Sequence, residues 1–152
     1  MPDLYHFRDM RPSDIGFVKS SWILSFARSK YARGVGAVFG RGHRPVVEYL
    51  LDTAEVTVAC DVQNPDVILG WMCHHDDMVH YIVAKRTLHR AGLSKHLLAD
   101  LLGDRVKRRC RYTHHLIELH DAGIEDILYT WVYDPYALAR RSDSGEHETA
   151  AG

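Results

Sequence analysis

Apolar residues recur along the chain with two periods, and the switches between them mark its elements. Leu4 to Arg8 sets aromatic Tyr5 and Phe7 two apart and reads as a first strand. Arg11-Pro12-Ser13-Asp14 then reads as a helix start, with Ser13 or Asp14 as N-cap. Ile15, Val18, Trp22 and Phe26 follow at helical spacing and predict one core-facing stripe. Arg28 to Arg44 loses that period. It concentrates Gly34, Gly36, Gly40 and Gly42 with Arg28, Lys30, Arg33, Arg41 and Arg44, and reads as a mobile surface loop. Pro45 suits the first turn of a helix, and Val46, Val47, Leu50, Leu51 and Ala54 give a short second helix over Pro45 to Thr53 its apolar face.

The period then shortens to two. Glu55 to Asp61 alternates Val56, Val58 and Cys60 with Thr57 and Ala59 and predicts a strand. Gln63-Asn64-Pro65-Asp66 has turn chemistry. Val67 to Cys73 is the next strand, with Gly70 as a bulge. His74-His75-Asp76-Asp77 is the expected hairpin turn into Met78 to Ala84. That strand is followed by a basic turn and by a helix striped with Leu93, Leu97 and Leu101. Cys110 to Thr113 predicts a fifth strand, and His114 to Ala122 a short helix closed by Gly123. Asp126 to Tyr133 predicts a last strand stopped by Asp134-Pro135. Ser142 to Gly152 is small and polar and is expected to be disordered. The sum is an α/β fold: a mixed, mostly antiparallel sheet flanked by helices, in one domain over residues 1–141 with a tail at 142–152.

Composition narrows the function classes. The chain has 152 residues, 46% hydrophobic and 26% charged, ordinary values for one globular domain. A formal net charge of −1 argues against nucleic-acid or anionic-membrane binding. No apolar run approaches the ~20 residues of a membrane span. Asp3, His6, Arg8 and Asp9 interrupt any signal-peptide pattern. Cys60, Cys73 and Cys110 are scattered and odd in number, which predicts reduced thiols in a cytoplasmic protein. There are eleven histidines, but neither Cys73-His74-His75-Asp76-Asp77 nor His114-His115 with His120 has zinc-ligand spacing, so no metal is expected. There is no G-x-S-x-G nucleophile elbow.

The candidate binding chemistry lies between the strand ending at Ala84 and the helix starting near Leu93. Gly92 allows close backbone approach to a ligand. The helix start offers unpaired N–H groups and the positive end of a dipole, an anion site, with Arg90 and Lys95 beside it. His89-Arg90-Ala91-Gly92-Leu93-Ser94 resembles the acyl-CoA-binding segment of the GNAT acyltransferase superfamily, Arg/Gln-x-x-Gly-x-Gly/Ala, with His89 in the place of Arg or Gln. The run from Gly92 to Leu98 is also similar to small GNAT-like proteins of tailed phages, which would place the chain in a host cytoplasm. The order of elements matches the family over Leu4 to Tyr133.

The resemblance implies an acyl-CoA-dependent N-acyltransferase, moving acetyl from acetyl-CoA to an amine. It implies that the backbone of Val83, Ala84 and Lys85 holds the pantetheine arm. It further implies that N–H groups over His89, Arg90, Ala91, Gly92, Leu93, Ser94 and Lys95 hold the pyrophosphate, with a backbone N–H near Val83 or Ala84 polarising the thioester carbonyl. The family often uses a Glu or Asp as base and a Tyr in the helix between the last two strands as acid. His114 to Ala122 contains no Tyr, so His120 or Tyr133 is the substitute. His80, on the strand Met78 to Ala84, is the expected base, since an imidazole suits proton transfer near neutral pH. Glu55 and Asp77 are the alternatives. The missing Tyr and His89 also fit another reading: a catalytically silent protein of this fold that binds CoA or a partner protein.

Overall fold

The computed structural model describes residues 4–29, 36–75, 78–88, 92–103, 110–114, 116 and 131–137 (backbone only at 36–40, 101 and 102). Six strands form one sheet in sequence order: β1 (Tyr5–Asp9), β2 (Glu55–Asp61), β3 (Ile68–His75), β4 (Met78–Ala84), β5 (Arg111–Tyr112) and β6 (Val132–Tyr133). The first four pair antiparallel, and β5 joins β4, and β6 joins β5, in parallel. Three α-helices are described: α1 (Ile15–Ala27), α2 (Gly36–Thr53) and α3 (Leu93–Leu102). This is the expected α/β fold with a mixed, mostly antiparallel sheet.

The helices cover both faces of the sheet. On one face Trp71 donates its indole N–H to Ser21 of α1 at 2.8 Å, and the Tyr81 ring stacks on Trp22 at 5.2 Å. On the other, Tyr5 of β1 is hydrogen-bonded to His96 of α3. Because both faces are covered, Val56 to Cys60 are all buried, and the alternation read in β2 separates two buried faces rather than core from solvent.

In α1 the predicted stripe holds at Val18, Trp22 and Phe26, but Ile15 is 38% exposed. The helix enters from a 3₁₀ turn at Pro12–Asp14, which rotates Ile15 off the core line. Asp14 does not cap α1 through its side chain. Its carboxylate instead accepts the Arg11 N–H at 2.8 Å and two bonds from the Arg8 guanidinium, at 2.6 and 3.1 Å, which tie β1 to the turn.

The expected loop up to Arg44 is overturned from Gly36 onward. α2 starts there, nine residues before the predicted start, and carries Pro45 inside it. Proline removes one N–H from the ladder and crowds the carbonyl four residues back, that of Arg41. The buried stripe nevertheless continues upstream of it: His43, Val47, Leu50 and Leu51 recur at helical spacing and are all buried. Val46, expected on that stripe, is 39% exposed. Residues 30–35 lie outside the described residues.

The hairpin turn is shorter than expected. His74 and His75 belong to β3, not to a turn, and Asp76 and Asp77 lie outside the described residues. Also outside are His89 to Ala91, 117–130 including His120, and the expected tail at 142–152. Cys60, Cys73 and Cys110 are free and buried. Among the described residues no helix is long and apolar enough to cross a membrane.

Candidate active site

The end of β4 and the start of α3 are brought together by a glycine on β3. Gly70 pairs with Ala84, and a Cβ placed on it would lie 2.8 Å from the Val83 carbonyl oxygen and 2.9 Å from Leu93 Cδ2. Only a residue without a side chain lets the first turn of α3 sit against this end of the sheet. The expected bulge is real but lies one residue earlier, since Ala59 faces Gly70 while Cys60 faces Ile68, leaving Leu69 as the extra residue.

Gly92 precedes α3 with φ of +75°, the left-handed region that favours glycine, and among the described residues beyond its chain neighbours no atom lies within 4 Å of where its Cβ would stand. The first ladder bond of α3 runs from the His96 N–H to the Gly92 carbonyl at 2.9 Å. The N–H groups of Leu93, Ser94 and Lys95 precede that ladder. The Leu93 side chain is fully buried, so Leu93 offers a ligand its backbone alone. Ser94 is 1% exposed, and among the described residues its Oγ has no hydrogen-bond partner. A buried hydroxyl without a partner is costly, and a ligand oxygen at the helix start would satisfy it. The positive-φ glycine, the leading N–H groups and the orphaned hydroxyl fit a phosphate-bearing cofactor.

β4 ends beside this helix start. Described pairing with β5 covers only Met78 and Val79, and the Thr113 N–H donates to the Val79 carbonyl at 3.1 Å. The Lys85 N–H donates to the Leu69 carbonyl at 2.8 Å. By the alternation of an antiparallel ladder, Val83 then bonds toward β3, while Ile82 and Ala84 turn their peptide groups toward the β5 side. Of the three residues predicted to hold the pantetheine arm, Ala84 therefore turns its peptide groups to the β5 side. Val83 and Lys85 instead line a cavity of about 450 Å³ with Ser13, Phe17, Leu69 and Trp71.

His80 sits in a bulge of β4: Cys73 faces Tyr81 while His74 faces Val79, so His80 is the extra residue. Bulges re-aim side chains, and this one turns His80 into a chain of hydrogen bonds. The ring is fully buried, with Nδ1 2.7 Å from Thr113 Oγ1 and Nε2 2.7 Å from His75 Nδ1. His75 Nε2 lies 3.1 Å from the carbonyl of Thr53, the last residue of α2. At the other end Thr113 Oγ1 lies 2.9 Å from His114 Nδ1. The half-buried His114 ring packs against Trp22 at 5.7 Å and His43 at 5.6 Å. Burial lowers the pKa of His43 and keeps it neutral.

Of the other predicted residues, Tyr133 is 42% exposed on β6 with its ring 5.3 Å from that of Tyr112. Glu55 is exposed at the start of β2, with Oε2 3.6 Å from His74 Nε2. Among the described residues no three of His, Cys, Asp or Glu are placed to share a metal ion. Sequence reasoning did not find His75, Thr113, His114 or His43. They come from β3, α2 and the bend after β5, and their meeting depends on a bulge and a parallel pairing that leave no local pattern.

The sequence matches no protein-family model, and no curated protein matches it. Solved structures are similar in fold. The apo form of YjaB from Escherichia coli superposes with a TM-score of 0.53 at 16% identity, over 66% of this chain and 65% of that one. A candidate GNAT-family acetyltransferase from Desulfovibrio desulfuricans follows at 0.42 and 17% identity, over 66% and 65% of the two chains. A Drosophila protein gives 0.45 and 19%, over 66% of this chain and 29% of its own. The likeness to YjaB is one of fold, and the weaker two add nothing to it. None of the three supports the phage resemblance.

Proposed function

We propose that this protein is an acyl-CoA-dependent N-acyltransferase that moves an acetyl group from acetyl-CoA to an amine. The observation that carries the reading is the juxtaposition, through Gly70, of the end of β4 with an α3 start that holds a left-handed glycine and an orphaned hydroxyl. In this reading the N–H groups from Gly92 to Lys95 and Ser94 Oγ hold the phosphates. The end of β4 holds the arm that ends in the acyl group. Bound acyl-CoA supplies an activated thioester. The chain's own contribution is positioning and the removal of one proton from the amine.

His80 does not meet an amine directly, since its ring is fully buried and both nitrogens have partners. Any part it plays in proton removal runs through Thr113 and His114. The same burial favours the second reading, a protein that holds CoA without turnover.

Calorimetry with acetyl-CoA and CoA, followed by a thiol-release assay over a panel of amines, separates the readings. Saturable binding with thiol release from at least one amine is expected. Binding without release leaves the silent reading, and absence of binding removes the transferase reading and leaves the silent one only as a binder of a partner protein.

A further inference from the structure

The bonds around His80 have one self-consistent direction. A carbonyl only accepts, so the proton between His75 and Thr53 belongs to His75 Nε2. A neutral imidazole carries one N–H, so His75 Nδ1 is an acceptor and the proton facing it sits on His80 Nε2. His80 Nδ1 is then an acceptor, and the Thr113 hydroxyl donates to it. The Thr113 oxygen in turn accepts from His114 Nδ1–H, which puts the ring lone pair of His114 on Nε2.

We propose that His114, Thr113, His80 and His75 form a directional proton relay, with His114 Nε2 as its accepting end and His75 as its far end. A proton taken at His114 Nε2 is balanced by one-place shifts. The Nδ1 proton of His114 passes to Thr113 Oγ1, the Thr113 proton to His80 Nδ1, and the His80 Nε2 proton to His75 Nδ1. Every hydrogen bond survives with its direction reversed, save that from His75 Nε2–H to Thr53. One added charge comes to rest on His75.

The surroundings suit that displacement. Thr53 ends α2, so the charge arrives at the negative end of that helix dipole. At the accepting end α1 contributes the Trp22 ring and α2 contributes His43, neutral through burial. On the same sheet face, burial pushes the Cys73 thiol up so that it stays protonated, and the Tyr81 hydroxyl is 2.9 Å from Ser25 Oγ. The Thr113 backbone is pinned to Val79, which fixes its hydroxyl between the two rings. The relay needs the acyl-transfer reading only for its use, as the sink for the amine proton. Its existence is a property of the resting protein.

The test is ring-nitrogen NMR of the full chain labelled with ¹⁵N-histidine, in weakly alkaline solution where free imidazole is neutral. The expected result is Nε2–H for His75 and His80 but Nδ1–H, the less common form in free histidine, for His114. Thr113→Val, which removes the hydroxyl and keeps the volume, should abolish the Nδ1–H preference of His114, and Thr113→Ser should restore it. Nε2–H on His114 or Nδ1–H on His80 in the parent protein overturns the relay, whether or not the variants fold. A relay with the expected tautomers but no thiol release from any amine would leave the relay standing and remove the acyl-transfer reading. Where thiol is released, Thr113→Val should lower kcat at least tenfold with KM for acetyl-CoA unchanged, and an unchanged kcat overturns the relay's use.

Discussion

Gly70 and Leu93 meet at a distance that admits no side chain on Gly70: a Cβ there would stand 2.9 Å from Leu93 Cδ2 and, on its other side, 2.8 Å from the Val83 carbonyl oxygen. The methyl end of Leu93 has some freedom, but the β4 backbone has little. Gly70→Ala should therefore destabilise the protein by about 1–3 kcal/mol, as overpacking of a well-filled core does. It should also displace the start of α3, lowering affinity for CoA. Urea denaturation and calorimetry check both, and a variant of unchanged stability would show that α3 is not held as tightly as this contact implies.

Gly92 tests the same site from its other side. Among the described residues beyond its chain neighbours no atom lies within 4 Å of its missing Cβ, so a side chain there costs stability through the left-handed backbone. Gly92→Val should lose roughly 1–2 kcal/mol on that account. It should lose CoA binding by much more than this, because the branched side chain fills the space a phosphate would occupy. If the folded variant binds CoA as tightly as the parent, the phosphate site lies elsewhere.

Most of the sheet was legible in the sequence, and the reasons differ by element. β2 spans the predicted residues, because a period-two run bounded by a helix end and an Asn-Pro turn admits little else. α2 was cut short because Pro45 looked like a first-turn proline and His43 looked like a loop residue. In the folded chain His43 is a core residue packed on Trp22 and Phe26, and it extends the stripe past the proline. The left-handed glycine ahead of α3 was legible because the glycine and the helix start are adjacent in sequence. The histidine relay was not, since one residue of bulge in β4 decides which way His80 points, and nothing in Met78 to Ala84 announces it.

Arg8 and Asp14 set a pH dependence of stability. The hydrogen bonds from the Arg8 guanidinium hold the Asp14 carboxyl below its usual range, with the Arg11 N–H adding to the effect. Asp14 raises Arg8 in turn. A carboxylate whose folded pKa is depressed contributes stability that is present above its unfolded pKa, ~3.9. That stability is lost as pH falls through the lower folded value. Arg8→Met should cost about 1–3 kcal/mol at neutral pH by leaving a buried acceptor short of donors. It should also flatten the loss of stability in acid. Denaturation curves between neutral pH and pH ~3 decide it, and a parent and variant with parallel acid limbs would show that the pair is not the source.

His80→Gln separates structure from chemistry at the centre of the relay. The ring is fully buried between His75 and Thr113, with a 2.7 Å bond to each. Glutamine can place one donor and one acceptor but cannot reproduce both directions of an imidazole while keeping a proton path, because an amide does not pass a proton from one end to the other. Stability should fall by about 1–3 kcal/mol, since at least one buried partner loses its bond. Affinity for acetyl-CoA should stay the same, because the residues proposed to hold it are backbone groups of β4 and the start of α3. Where thiol release is measurable, kcat/KM should drop at least tenfold, the low end of the ~10²–10⁴ a positioned base contributes being reduced by whatever proton transfer His114 still makes to water. The pH dependence of the rate should flatten as well. A variant that loses stability but keeps both rate and pH profile would make the histidines a packing device, with proton removal left to solvent or to a group such as Glu55.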